Sequence, residues 1–460
     1  MKYIVFACIL VMTVLSGCGR TEDSVIVLRV NNWEEYMDEG DWETEDEIEL
    51  ENGKVIFSES GMIEDFEEWF YETYGMNVRV EYSTFGTNEE LYNQMTMGDT
   101  YDVVCPSEYM IMKLMAEGLL EPFSNEFYDV TIEENYYARG VSPYIRGVFD
   151  ELSINEQPLS KYAAGYMWGT LGIVYNPEFV SEEDASHWSL LLSDKFSKRV
   201  TIKDSVRDAY FAGSCILNEE LINSEDFLNQ PNYLNHLSDL LNATDAETVN
   251  QVENILSNIK DNVYSFETDS GKADMVTGKV VANQQWSGDA VYTLDQADED
   301  DVELCYSAPK EGTNLWFDGW CMIRAGIAED RDKKIAAEAF INFVSKPENV
   351  IRNMYYIGYT SVISGGEDDT ILQDINWCYG AEDEEDEPLV EYPIGYFFGD
   401  EENEDYLITT VESQTRRQLF AQYPPKEVMN HCVVMDYFDP EENTRINRMW
   451  TNARCFDFEW

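Results

Sequence analysis

The chain has 460 residues, enough for two lobes that each bury a core, and 44% of them are hydrophobic, which is ordinary for a folded globular protein. Its 91 acidic against 30 basic residues give a formal charge of −61. That field repels phosphate and excludes a general nucleic-acid-binding surface, while it concentrates cations; because it also serves solubility alone, charge names no ligand.

At the N-terminus, Lys2 opens a short basic segment and residues 4–14 are apolar but too few to span a bilayer as a mature helix. They lead into Leu15-Ser16-Gly17-Cys18. This resembles the bacterial lipobox, which implies a signal peptide over residues 1–17 and a lipid on Cys18. A plain secretory signal with an incidental cysteine is the alternative, and the small residues directly before Cys18 favour the lipobox. Residues 18–23 then form a tether. No later stretch is apolar over the length a membrane crossing needs, so the anchor is the only expected membrane contact. Beyond Cys8 and Cys18 the chain has Cys105, Cys215, Cys305, Cys321, Cys378, Cys432 and Cys455. An odd set at wide, irregular spacing, without CxxC or zinc-type Cys/His spacing, predicts mostly buried free thiols.

Residues 24–30 read as a continuous apolar strand of the kind buried in a parallel sheet, followed at once by Asn31-Asn32-Trp33-Glu34-Glu35-Tyr36. The acidic segment 37–58 reads as a solvated insertion. Met62, Phe66, Trp69, Phe70 and Thr73 share one face at helical spacing, so a helix is predicted over 63–74 with Gly75 as its C-cap. Val78, Val80 and Tyr82 alternate as a strand, 89–97 reads as helix and 101–105 as a strand closed by Pro106. Alternating strands and helices predict an α/β unit with a parallel sheet, whose ligands sit at the C-terminal ends of strands. Residues 33–36 and 107–109 occupy two such ends. Further on, 172–175 is an apolar strand, 284–289 and 315–320 are two more strand-end clusters of polar and aromatic residues, and 332–345 is an Ala-rich helix stopped by Pro347. The acidic blocks 382–387 and 400–405 read as exposed loops. With no compositional break, the α/β segments predict two interleaved lobes.

Three clusters pair an aromatic with an acid: Trp33, Glu35 and Tyr36; Trp286 and Asp289; Trp316 and Asp318. Taken singly, each tryptophan is a core residue and each acid a surface group. The recurrence of the pair at strand ends points to a site for a small organic cation. An ammonium needs carboxylate or hydroxyl acceptors, and aromatic faces shed water while attracting positive charge, at roughly 0.5–2 kcal/mol each.

The motifs also carry a resemblance. Asn32-Trp33-Glu34-Glu35-Tyr36, the run from Ser83 to Tyr92, Tyr101-Asp102-Val103-Val104-Cys105-Pro106-Ser107, Trp168-Gly169-Thr170 with Tyr175-Asn176, Trp286-Ser287-Gly288-Asp289, Pro309-Lys310-Glu311-Gly312 leading to Trp316 and Asp318, and Ile357-Gly358-Tyr359-Thr360 stand in order over most of residues 28–362. The chain thereby resembles the spermidine/putrescine-binding protein family. The resemblance implies a two-lobed type II periplasmic-binding α/β fold with a hinge. Its lobes would be residues 24–143 plus 309–360 and residues 144–308 plus 361–460. It implies an aromatic slot from Trp33, Tyr36, Tyr109, Trp286 and Trp316, ammonium contacts from Asp318, Glu35, Asp208 and Asp289, and hydrogen bonds from Ser107 and Tyr359. Ser205 stands where spermidine-preferring members often carry a second acid, and Asp289 resembles the putrescine-preferring pattern, so a diamine is favoured, with spermidine close behind. The implied partners are a polyamine and an ABC permease with its ATPase, and the receptor would be monomeric, extracytoplasmic and without cofactor or metal.

An enzyme is not expected. His187, His236 and His431 lie outside every cluster, and the chain has no Walker loop, GxSxG or HExxH. Two other readings remain open at this level: a secreted carbohydrate-active lipoprotein built on paired carboxylates, or the same fold binding Fe(III) or another organic cation. Of the vicinal tyrosines that iron would need, Tyr355-Tyr356 reads as core packing at a helix end.

Overall fold

The computed structural model describes residues 25–381, 388–400, 402 and 405–455. The signal segment, Cys18, the tether, the acidic block 382–387 and residues 401, 403 and 404 of the other block lie outside the described residues.

One twelve-stranded sheet runs through the molecule. Its main path uses eight strands: β1 (Ile26–Trp33), β2 (Val78–Phe85), β3 (Val103–Val104), β4 (Ala163–Tyr175), β5 (Val200–Lys203), β6 (Ser265–Glu267), β7 (Ala282–Trp286) and β8 (Thr313–Ile323). Their order is β6-β5-β7-β4-β8-β3-β1-β2. The flanks are parallel, β1 with β2 and β3 at one end and β5 with β6 and β7 at the other. The two long central strands are antiparallel to each other and to their neighbours. All 13 residues of β4 and all 11 of β8 are buried. The helices that matter for the site are α1 (Met62–Tyr74), α2 (Asn88–Met97), α3 (Glu108–Ala116), α4 (Val206–Ile222), α5 (Ser287–Glu299), α6 (Arg331–Val344) and α7 (Pro347–Ile357).

Several expectations match within a residue or two: α1 ends at Gly75 in the left-handed conformation at φ 67°, where a side chain would be strained. Others need correction. Pro347 does not merely stop α6; it opens α7 at the first turn, where its missing N–H costs nothing. Tyr355 and Tyr356 are 48% and 40% exposed rather than core, with Tyr355 packed at a tilt against Trp42 and its hydroxyl donating to Asp46 at 2.9 Å. The acidic segment 37–58 is not simply solvated. Met37, Ile48, Leu50 and Ile56 are buried, and Asp38 receives Arg352 Nε at 2.8 Å and Nη2 at 2.6 Å. That buried guanidinium from α7 holds the segment down, a partner more than 300 residues away in sequence.

The buried residues fall into two large cores, and these divide at other places than the expected lobe boundaries. One core draws on residues 28–168 and 315–429, the other on 171–305 and 433–453. A smaller cluster around Met275, Leu294 and Tyr306 flanks the second. Residues 144–168 and most of 361–429 therefore pack with the first core. The chain passes between cores inside β4, between Tyr306 and Leu315, and again between Met429 and Val433. The first of these crossings lies within a strand buried along its whole length, so no change of composition marks it.

Candidate ligand-binding cleft

Between the two cores lies a cavity of about 460 Å³. Its floor is Asp318, which is not at a strand end as expected but inside β8, at an irregularity where the pairing with β4 shifts register between Phe317 and Gly319. The extra residue is on β4, where Met167 and Tyr166 together stand opposite Asp318, and Asp318 itself bridges to Ser107; this local break in the ladder leaves one acid of a hydrophobic strand in the cleft lining. Tyr36 Oη donates to Asp318 Oδ2 and Ser107 Oγ to Oδ1, both at 2.8 Å. Asn88 orders that corner, donating from Nδ2 to Ser107 Oγ at 3.1 Å and to Tyr109 Oη at 3.0 Å, while its Oδ1 accepts from the Ser107 amide at 3.1 Å. Both of these donors to Asp318 are neutral hydroxyls. Burial pushes its carboxyl up to about 6, against the opposing hydrogen bonds from Ser107, Tyr36 and Trp33. Beside it Glu108, in the first turn of α3, is 2% exposed and pushed by burial up to about 8.

Aromatic rings wall this end. Tyr359 packs edge-on against Tyr36 and Trp316, with centroids 5.4 Å away in each case. Two glycines permit it: a Cβ at Gly288 would collide with the Tyr359 ring, and one at Gly169 with the Trp316 ring. The motifs Trp286-Ser287-Gly288-Asp289 and Trp168-Gly169-Thr170 thus have a packing reason. Trp316 Nε1 and Asn314 Oδ1, both from lining residues, are buried without a hydrogen-bond partner.

At the other end Trp286, the last residue of β7, donates through Nε1 to Asp208 Oδ1 at 3.3 Å. Burial raises the Asp208 carboxyl, opposed by Ser205, Trp286 and the nearby cations. Lys203, at the end of β5, reaches Asp289 Oδ2 at 3.0 Å and the Thr268 carbonyl at 2.8 Å, with its Nζ 4.5 Å from the Trp286 ring centroid. Asp289 also receives Tyr359 Oη at 3.0 Å and has Lys272 at 3.7 Å. Burial would raise its carboxyl, but Lys203 and Lys272 outweigh that and hold it below the usual range. Arg207 lies between the rings of Tyr109 and Phe438, 4.7 and 3.7 Å from their centroids.

Of the residues expected in the site, Trp33, Tyr36, Ser107, Tyr109, Asp208, Trp286, Trp316, Asp318 and Tyr359 line the cavity; Glu35 and Asp289 do not. Glu35 adopts φ 52°, turning the chain after β1 so that Glu34 faces the cleft and Glu35 lines a separate cavity of about 390 Å³. Asp289 lies behind Lys203. Glu34, Asn88, Glu108, Lys203, Arg207 and Asn314 were missed as lining residues. Glu34 and Glu108 carried a signal in the sequence, each inside a strand-end cluster, residues 33–36 and 107–109. Neither Tyr355 nor Tyr356 lines the cleft. Outside it, the fold assembles His187, Glu219 and Glu311, whose ligand-type atoms all lie within 4.8 Å of one another. The histidine is already bridged, to Glu311 at Nδ1 and to Glu183 at Nε2.

Comparison with known proteins agrees with this architecture. The bacterial extracellular solute-binding protein family matches residues 61–374, well over half of the chain. The chain belongs to this family. It is 24% identical over 301 residues to the spermidine/putrescine-binding periplasmic protein of Escherichia coli, covering 65% of this chain and 73% of that protein. Against spermidine/putrescine-binding periplasmic protein 1 of Haemophilus influenzae it is 23% identical over 263 residues, 56% of this chain and 61% of that one. Among solved structures, the spermidine/putrescine ABC transporter substrate-binding protein PotD of Streptococcus pneumoniae superposes with a TM-score of 0.58 at 24% identity, covering 93% of this chain and 98% of the other. The solute-binding family fold is thus a two-lobed α/β fold here, with the cleft at the boundary of its cores. Among the described residues no helix is long and apolar enough to cross a membrane.

Proposed function

We propose that this solute-binding protein is the extracytoplasmic receptor of an ABC importer and that it captures a polyamine, putrescine or spermidine, in the cleft. The observation that carries the reading is Asp318: a buried carboxylate, supported by the neutral donors Tyr36, Ser107 and Trp33, at the floor of a cage of Tyr36, Trp316 and Tyr359. A buried carboxylate without its own cation is favourable only when something supplies one, and an ammonium at about 4 Å supplies on the order of 4 kcal/mol before desolvation is subtracted. Each methylene laid against the rings adds ~0.8 kcal/mol. Together these reach micromolar affinity, about −8 kcal/mol. The names of the relatives support the ligand class.

Capture involves no bond-making. Asp318, Ser107 and Tyr109 come from the first core's side of the cleft and Asp208 and Trp286 from the side of the second, so a ligand touching both favours the closed arrangement by its extra contacts there. The closed form then docks on the permease. Calorimetry of the purified protein with putrescine, spermidine and a set of oligosaccharides tests the reading. Micromolar or tighter amine binding is expected, and saccharide binding without amine binding overturns it. Cys18 is proposed as the lipid attachment site on the resemblance of its flanking residues; incorporation of labelled fatty acid that survives Cys18→Ala would sink that part.

A further inference from the structure

The surroundings of Lys203 Nζ are those of a captured ammonium. It has a carboxylate oxygen at 3.0 Å, a carbonyl oxygen at 2.8 Å, a second carboxylate, that of Glu267, at 3.8 Å and an indole face at 4.5 Å. Its side chain is 1% exposed. Lys203 lines the cavity and Asp289, the acid it covers, does not. We infer that Lys203 is a specificity-determining residue: its ammonium permanently fills the position in front of Asp289, leaving the cleft two buried aspartates for ligand nitrogens, Asp318 and Asp208; of the other aspartates and glutamates outside α3 in the lining, Glu34 and Glu89 are exposed and Asp204 is paired with Arg454. This rests on the polyamine reading and narrows it to diamines.

The reasoning is one of charge count at fixed places. Asp318 meets only neutral donors, so it takes one ammonium. Asp208 lines the cavity and accepts from a neutral indole, with Lys203 and Arg207 nearby, so it offers a second and weaker position. Asp289 is already approached by Lys203 and Lys272. A third ligand nitrogen sent toward Trp286 meets a lysine of like charge on the ring face it would need. Ser205, N-cap of α4 with its hydroxyl accepting from the Asp208 amide, adds no negative charge there.

The test is calorimetry of wild type and Lys203→Met with putrescine, spermidine and N-propylputrescine, which is spermidine with its terminal amino group removed. Wild type should bind putrescine at least about tenfold tighter than spermidine, and N-propylputrescine tighter than spermidine. Lys203→Met should shift the spermidine-to-putrescine affinity ratio at least tenfold toward spermidine, while Lys203→Arg, which keeps the charge, should leave spermidine disfavoured. Amine binding with an unchanged ratio in Lys203→Met overturns the role of Lys203 and spares the polyamine reading. Absence of amine binding in wild type overturns both. Should Lys203→Met fail to fold, the wild-type order still decides, since spermidine binding tighter than N-propylputrescine refutes a blocked third position.

Discussion

Two largely buried aspartates, Asp318 in the cleft lining and Asp289 behind it, behave oppositely. Asp318 has two hydroxyl donors, and burial lifts its carboxyl to about 6. Asp289 is also largely buried, yet Lys203 and Lys272 pull it below the usual carboxylate range. The same residue type in comparable burial is thus ready for a ligand cation in one place and already satisfied in the other. What separates them is whether the fold supplies the counter-charge. An acid in a motif does not reveal which, because the lysine that decides it stands 86 residues away in sequence.

The comparison can be broken by exchanging charges. Asp318→Asn should cost the largest effect, a loss of amine affinity of at least about a hundredfold, read by calorimetry. The ligand-free protein should nevertheless become more stable at neutral pH. The folded value of about 6 lies above the unfolded ~3.9, so this group's contribution is full below about pH 4 and is lost as pH rises to about 6. Ionised Asp318 then costs about 3 kcal/mol at pH 7, which the amide removes. Melting curves of the two proteins should differ at pH 7.5 and converge near pH 4; a destabilised Asp318→Asn at pH 7.5 would contradict the account.

Asp289→Asn should do the reverse. It strips the main partner from a lysine side chain that is 1% exposed and should cost about 3 kcal/mol of stability. The affinity lost should be smaller than for Asp318→Asn, and a larger loss would show that Asp289 does meet the ligand. Titrating wild type sharpens the contrast further. Amine affinity should fall about tenfold per pH unit below about pH 6, as the free Asp318 takes up its proton. An affinity flat down to pH 4.5 would place the anchoring charge elsewhere. The smallest expected effect is that of Glu35→Gln, within about twofold of wild type, because Glu35 lines the other cavity; a tenfold loss would reinstate it in the site.

Much of this was legible in the chain. Helix α1 and its glycine cap follow from apolar spacing, β1 and the last four residues of β4 from apolar runs, and β2 from alternation. The aromatic members of the cleft, Trp33, Tyr36, Trp286 and Trp316, announce themselves through short motifs in which an aromatic stands within a few residues of an acid. Residue type and local spacing carry that information without reference to the rest of the molecule.

Tertiary structure alone decided the remainder. Asp318 sits where the pairing of β8 with β4 shifts register through an extra residue on β4, and alternation along β8 gives no sign of that shift. Glu35 turns away because one residue adopts a left-handed conformation. The acidic segment after β1 is held down by Arg352, the core boundary falls inside β4, and Asp289 loses its vacancy to Lys203. Each of these depends on a partner far away in sequence or on a single backbone angle. The kinds of side chain at a binding site are written locally, whereas the field each one experiences is a sum over neighbours that only folding assembles.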